Sequence, residues 1–484
     1  MKHSYAKDVL LSFALQIFEN GRSFLLIPVI AKTIGASGYG IWVQVKIGIA
    51  FLCPFLLLGS GSGISRFLPG SSRKEIQDGM YSSFAVAIIT GTGFALLIFL
   101  SEGIIEKYIE SIPNSGLFIK GLALLCIAEP LNNLSLEYYR VFRKMKTLLS
   151  LSIFDTIFEF APVFYFAYYG FGISVVIFSF ACGRLFMAVV KVLSLFWEVG
   201  FGSLKIDTIV NFIKFGFPLI WANIFFYISN YLDRYLIGYF HSAKEVGIYS
   251  LAYTVGYTVV LISAPWDRVL IPTITEHWNR GNVTEASNYF KDTLRYVLII
   301  AIPLTVFLSA VGREIVEILS TPEFLNAIYI IPVMLIAFFM FEIGIFYHRL
   351  VMLTHNSITI TKVFGIVAVI SMVLNLILIP QFSISGAAVS LSVTYGILFL
   401  IFYKFATVKI NTITFDWLLV IKCLAATIPG SLILLLNKGE IHNLFLNIAI
   451  AISLYFAILW ILDIIGKREW TFMREFLYVP KKKV

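Results

Sequence analysis

The sequence predicts an all-α polytopic membrane protein of about fourteen transmembrane helices, and three observations predict it. Of the 484 residues 59% are hydrophobic and 13% charged, with mean hydropathy +0.88, a balance that no water-soluble core can bury. Apolar runs of about 20 residues, long enough to span the hydrocarbon of a bilayer, recur from end to end. Lys and Arg gather in every second connection between those runs, as they do in loops that face a cytoplasm.

Runs bounded by charges, glycines and prolines place the helices over 10–33, 40–63, 80–100, 117–138, 149–169, 172–197, 209–231, 246–270, 292–311, 327–349, 358–380, 384–405, 417–436 and 443–465. The basic start, MKHSYAK, leads into the first run without a small-residue cleavage site, so this segment is expected to be retained. With the N-terminus inside, about 27 of the 37 basic residues fall to the inner connections and tails and about 7 to the outer ones. Arg22, Lys46 and Arg184 are the three counted within helices. Outer connections are acidic, with Glu102, Glu106, Glu110, Glu314, Glu317 and Glu323. An even number of helices with both termini cytoplasmic satisfies the count, and a bacterial cytoplasmic membrane is the expected location.

Dispersal of the net charge of +9 argues against a nucleic-acid surface. Cys53, Cys126, Cys182 and Cys423 each stand alone in an apolar run and read as small buried residues, not as disulfides or metal ligands. A Walker loop, HExxH and GxSxG are all absent, and the six histidines lack ligand spacing. No cofactor, metal or catalytic activity is expected; any pumping must draw on ion or substrate gradients.

The chain also repeats itself. Gly40-Ile41 in GASGYGIW matches Gly247-Ile248 in SAKEVGIYS, Tyr139-Arg140 matches His348-Arg349, and GFGIS from Gly170 matches QFSIS from Gln381. Shared order and offsets of 207, 209 and 211 residues point to a duplication of six helices in one orientation. The expected organisation is a six-helix lobe over 1–200, a second over 201–410, and two added helices with a basic cytoplasmic tail over 411–484. A cleft between parallel lobes suits alternating access.

The GASGYG turn, the NYLDRYLIG…EVGIYS passage (Asn230 to Ser250) and LNLILIPQFSISGAAVSLSVTYG (Leu374 to Gly396) resemble the multidrug, oligosaccharidyl-lipid and polysaccharide exporter (MOP) superfamily, and within it the polysaccharide and O-antigen flippase branch. The resemblance covers nearly the whole chain. It implies a V-shaped pair of bundles that moves undecaprenyl-diphosphate-linked oligosaccharide, an O-antigen, capsule or exopolysaccharide unit, from the cytoplasmic to the outer leaflet. It also implies membrane lipids, a proton or sodium counter-ion, a polysaccharide polymerase and a chain-length regulator as partners. The rivals are an ion-coupled multidrug exporter of the same superfamily and, from another class, a membrane-bound polysaccharide polymerase or ligase. The two extra helices favour the flippase, and the short outer loops argue against the polymerase.

Ionisable side chains at bilayer depth cost at least about 2.5 kcal/mol and usually face a cavity or a partner. Arg22, Lys46 and Arg184 are the candidate cavity cations, fit to attract a diphosphate; Lys46 is also placed to snorkel. Glu19 stands one helical turn from Arg22, and Asp155 one turn from Glu159 with Pro162 beyond. These three carboxylates are candidates for ion coupling, or for structural pairing with Arg22, Arg184 or Lys46; Glu129 beside Pro130 is a weaker one. Asp233 and Arg234, at the outer end of the seventh helix, are a candidate gate or lobe contact. Tyr227, Tyr231, Tyr235 and Tyr239 form a stripe suited to sugar stacking or to packing.

Overall fold

The computed structural model describes the backbone of residues 2–108, 114–262, 264–353, 357–409, 415–436 and 441–465, and the side chains within them except 2–20, 22, 23, 107, 108, 222, 264–269, 272, 357, 358, 409, 441 and 442. Glu19 and Arg22 therefore lie outside the described side chains. Helices follow one another throughout: α1 (Lys2–Leu57), α2 (Ser60–Phe67), α3 (Arg73–Leu100), α4 (Glu102–Tyr108), α5 (Ser115–Val141), α6 (Met145–Tyr168), α7 (Ile173–Val199), α8 (Ile206–Phe240), α9 (Ala243–Tyr257), α10 (Ala264–Asn279), α11 (Val283–Ala310), α12 (Gly312–Leu319), α13 (Ala327–Leu353), α14 (Ser357–Lys409), α15 (Trp417–Leu436) and α16 (Ile441–Ile461). No strand occurs among the described residues.

Twelve of the described spans are long and apolar enough to cross a membrane, which makes the chain a multi-pass membrane protein. Two of the twelve carry an internal break. At about 1.5 Å per residue, the 53 residues of α14 extend roughly 80 Å, far beyond a hydrocarbon core about 30 Å thick. Ser383 interrupts α14 with φ 48°, leaving limbs of about 26 residues. Gly35, with φ 77°, interrupts α1 in the same way, in a conformation that glycine adopts without steric cost. Counting limbs separately brings twelve spans to about fourteen, close to the helix number expected from the sequence.

Two helix boundaries and one cysteine differ from expectation. The helix expected over 246–270 stops at Tyr257, passes through a 3₁₀ turn at Val260–Ile262 and resumes as α10. Pro265 explains the interruption, since it cannot donate to the carbonyl four residues back and disfavours helical geometry before it. The helix expected over 209–231 runs on to Phe240, because nothing breaks it before His241. Cys182 is exposed, whereas the other three cysteines are buried.

Each break is capped from far along the chain. The second limb of α1 starts without a local acceptor for its first N–H groups, and the Glu323 carboxylate accepts from Ala36 N at 2.9 Å. At the other break the Ser383 hydroxyl donates to Glu245, and the ring Nε2 of His241 lies 2.8 Å from the carbonyl of Ile379. Glu323→Ala is expected to cost about 1 kcal/mol through loss of the α1 cap, read as a lower melting temperature of the purified protein; unchanged melting would show that the cap is dispensable.

Two contact-defined units emerge. The first comprises Met1–Ser250, Leu319–Phe324 and Ser371–Ile384; the second comprises Leu251–Ile318, Leu325–Ile370 and Ser385–Val484. The first packs α3, α5, α7 and α8 around Met80, Phe84, Leu134, Tyr139 and Phe196. The second packs α10, α11, α13, α15, α16 and part of α14 around Phe290, Phe346, Tyr347, Phe402 and Tyr455. Arg349 is buried in this second core, 3.6 Å from Glu342 on the same helix.

Within the first unit, the second limb of α1 crosses α9 at backbone distance. A Cβ on Gly40 would run into the Ala243 carbonyl, and a Cβ on Gly247 would run into the Ala36 carbonyl. Gly40 and Gly247 are 207 residues apart, as are Ala36 and Ala243, so the contact is reciprocal, as at a two-fold interface.

Candidate functional site

The site grows out of a polar seam through α5, α6 and α7. Asp155 and Glu159 share a face of α6, being four residues apart, and Arg184 and Lys191 share a face of α7, being seven apart. Since α6 and α7 are antiparallel neighbours, the earlier carboxylate meets the later cation. Lys191 Nζ lies 2.6 Å from the Asp155 carboxylate, and Arg184 Nη1 lies 2.5 Å from Glu159 Oε1. From α5, Asn132 accepts from Lys191 Nζ at 2.8 Å and donates to the Arg184 carbonyl at 3.1 Å. Glu129, one turn before Asn133, takes the remaining edge of the guanidinium: Arg184 Nε donates to its Oε1 at 3.0 Å and Nη2 to its Oε2 at 2.9 Å. That fork-to-carboxylate geometry is the strongest form of ion pair.

Two cations face three carboxylates within the seam, and Lys46 of α1 nearby brings the group to neutrality, which is what permits its burial in an apolar surrounding. Asp155, Glu159 and Lys191 are nearly or wholly inaccessible, while Glu129 and Arg184 are partly accessible. Glu129 then opens onto a cavity of about 360 Å³, also lined by Lys46, Cys53, Asn133, Asn223 and Tyr227. Lys46 Nζ stands 5.2 Å from the Phe180 ring centroid and 5.9 Å from that of Trp42, distances at which a cation is attracted to an aromatic face. Asn133 donates to the Glu129 carbonyl at 2.9 Å and to Cys53 Sγ at 3.2 Å, so amide and thiol orient each other across α5 and α1.

Of the residues singled out in the sequence, Lys46 lines the cavity, and Glu159 pairs with Arg184 directly behind it. Arg184 itself is held by Glu129 and Glu159 and does not line the cavity. Asp155 belongs to the same seam, but its partner is Lys191, which the loop count left among the inner basic residues. The spacing carried a signal, since Lys191 lies two turns from Arg184 on one face. Glu129 is central rather than peripheral, because both of its oxygens accept from the Arg184 guanidinium.

Asp233 and Arg234 form a separate buried group within α8, not at its end. Arg234 Nη1 donates to Asp233 Oδ1 at 3.2 Å, and the Tyr249 hydroxyl on α9 donates to Asp233 Oδ2. The guanidinium lies 5.4 Å from the Tyr231 ring centroid and 5.6 Å from that of Tyr249. The tyrosine stripe divides by position: Tyr227 lines the cavity and packs against Tyr231, Tyr235 donates to the Gln44 carbonyl at 2.9 Å, and Tyr239 is exposed. Among the described residues no group of His, Cys, Asp and Glu has metal-binding geometry.

Comparisons with known proteins agree on the architecture. The fold is similar to that of the lipid II flippase MurJ in an inward closed conformation, with TM-score 0.71 at 18% identity over 94% of this chain and 98% of that one. It is also similar to an inward-facing multidrug resistance MATE family transporter of the MOP superfamily, with TM-score 0.62 at 10% identity over 84% of this chain and 98% of that one. Among curated proteins, the probable low-salt glycan biosynthesis flippase Agl15 of Haloferax volcanii is 22% identical over 98% of this chain and 99% of its own length. A family profile described as polysaccharide biosynthesis protein matches residues 29–329, well over half of the chain, and the chain belongs to that family.

Proposed function

We propose that this protein is a flippase that carries a lipid-diphosphate-linked oligosaccharide across a cytoplasmic membrane by alternating access. The observation that carries the reading is the cavity holding Lys46, Glu129, Asn133, Asn223 and Tyr227 inside an otherwise apolar helical fold. An ammonium supplies a point charge for phosphate oxygens, two amides supply donors and acceptors for hydroxyls, and a tyrosine supplies an apolar face for a sugar ring. The lipid tail needs no protein cavity, because it stays in the bilayer. An undecaprenyl-linked unit of O-antigen, capsule or exopolysaccharide is the cargo that the family resemblance implies, and Agl15, named as a glycan biosynthesis flippase, supports the glycan assignment.

In this reading the lobes 1–200 and 201–410 rock against each other, with 411–484 as an appended pair of helices and a tail. The reciprocal contact of Gly40 and Gly247 across the repeat offset supports the duplication. Asp233 and Arg234, tied to Tyr249, would hold α8 to α9 during that motion. A proton or sodium ion supplies the driving force through the seam carboxylates, and a polymerase and chain-length regulator receive the cargo outside.

A deletion strain is expected to accumulate lipid-linked oligosaccharide on the cytoplasmic side and to lose surface polysaccharide, and the intact gene to restore both. Normal surface polysaccharide in that strain would remove the flippase reading; altered drug susceptibility alone would favour the exporter. Lys46→Ala should lower transport at least tenfold with unchanged membrane abundance, since its side chain lines the cavity. Full complementation by that variant would take Lys46 out of cargo binding.

A further inference from the structure

Glu129 sits where a cargo phosphate would be expected. Its two oxygens occupy the Nε–Nη2 edge of Arg184, at 3.0 and 2.9 Å, which is the edge that guanidinium groups present to phosphates. The same carboxylate lines the cavity that Lys46 lines. Arg184 keeps its Nη1 on Glu159 regardless, so releasing Glu129 frees one edge without detaching the side chain.

Charge bookkeeping limits what can enter. Around this cavity the described cations Lys46, Arg184 and Lys191 face the carboxylates Glu129, Asp155 and Glu159, three against three. A diphosphate adds at least two negative charges to a group already neutral, in surroundings where an uncompensated charge costs several kcal/mol. Adding a positive charge or neutralising a carboxylate offsets one of those charges. Asp155 and Glu159 are 3% and 1% exposed, so Glu129 is the carboxylate that cavity water reaches.

We propose that Glu129 is an internal surrogate for the cargo diphosphate: it holds the Arg184 edge in the empty protein, yields that edge to the incoming phosphate, and binds a proton from cavity water as it leaves. The displaced carboxylate becomes a carboxylic acid, no bond in the cargo is broken, and the cargo enters with one positive charge. This rests on the flippase reading above. The groups that face Glu129 are Lys46 and the Cys53 thiol from α1, Asp155 and Glu159 from α6, Arg184 and Lys191 from α7, and Tyr227 from α8. Along α3 the facing stretch Phe84–Ala95 carries no ionisable side chain. Arg66 of α2 adjoins Ser65, which bonds Glu137 two turns further along α5, and α4 meets α5 at the far end, where Ser115 donates to Glu106.

The test uses the full-length protein purified in detergent, with farnesyl diphosphate as probe and calorimetry in two buffers of different ionisation enthalpy. The wild type is expected to take up about one proton more per probe bound than Glu129→Gln does. Its affinity should fall about tenfold per pH unit relative to that variant, over the range in which Glu129 is ionised without probe and protonated with it. Glu129→Gln should bind at least as tightly as the wild type at the upper end of that range, and Glu137→Gln should behave as wild type. Equal proton uptake by wild type and Glu129→Gln, or weaker binding by that variant at high pH, overturns the proposal while leaving the flippase reading standing. Should Glu129→Gln fail to fold, wild-type proton uptake no greater than that of the probe's own phosphates overturns it equally. Absence of any binding to the wild type removes both.

Discussion

Lys191→Ala is expected to remove most of the folded protein from the membrane. Lys191 is 0% exposed and lies 2.6 Å from an Asp155 carboxylate that is itself 3% exposed. Removing one member of such a pair leaves an uncompensated charge in a low-dielectric interior, at a cost of about 3–5 kcal/mol. Asn132 would lose the donor that its Oδ1 accepts, adding a second unsatisfied buried atom. Removing both charges is a different matter, because an apolar pair of similar volume avoids desolvation altogether. The double variant Lys191→Met with Asp155→Leu should therefore recover abundance and melting temperature that Lys191→Ala alone loses. Abundance and thermal melting in detergent measure both, and a Lys191→Ala protein as abundant as wild type would show that the pair carries little stability. Arg184→Ala leaves two carboxylates, Glu129 and Glu159, without their shared cation, so loss of transport in that variant reports structure as well as function. Lys46 lines the cavity, which Arg184 does not, and is therefore the more direct probe of cargo binding.

How much of this was legible beforehand depends on which physics wrote it into the chain. Helix number is set by segment length and loop charge, local properties that survive in one dimension. The kinks at Gly35 and Ser383 lay between expected helices, so the sequence marked them as turns. Their caps, Glu323 and the pair His241 and Glu245, were not legible, because a carboxylate 287 residues away carries no local sign of its acceptor role. Glu323 was read only as one more acidic residue on the outer side. Lys191 was overlooked for a related reason: near the end of an amphiphilic helix, positive-inside topology already accounts for a lysine. What distinguishes it is its register with Arg184, matched to the Asp155–Glu159 register on the preceding helix. Two antiparallel helices carrying i, i+4 carboxylates and i, i+7 cations form a ladder, and that pattern was available to spacing arguments. The bidentate grip of Arg184 on Glu129 needed the third helix, and no pairwise periodicity specifies it.

Gly40→Val and Gly247→Val are expected to damage the protein to equal extents. Each places a branched side chain against a carbonyl of the opposing segment, Ala243 for Gly40 and Ala36 for Gly247. Neither obstacle is a flexible side chain that can swing aside, so the second limb of α1 and α9 must separate. Overpacking of this kind costs about 1–3 kcal/mol where a core can relax, and more where backbone blocks it. Small residues at a helix crossing supply close van der Waals packing, the main attraction between helices in lipid, so separation also forfeits attraction along the whole contact. Equality follows from reciprocity: the 207-residue offset maps Gly40 onto Gly247 and Ala36 onto Ala243, and each substitution offends the same interface from its own side. The double variant should lose less than the sum of the two, because one separation of the helices relieves both clashes. Melting temperatures of the two single variants and the double variant close the cycle. Additive losses would mean that the two glycines sit in independent contacts, and a harmless Gly247→Val beside a damaging Gly40→Val would remove the reciprocal contact as support for a duplicated chain.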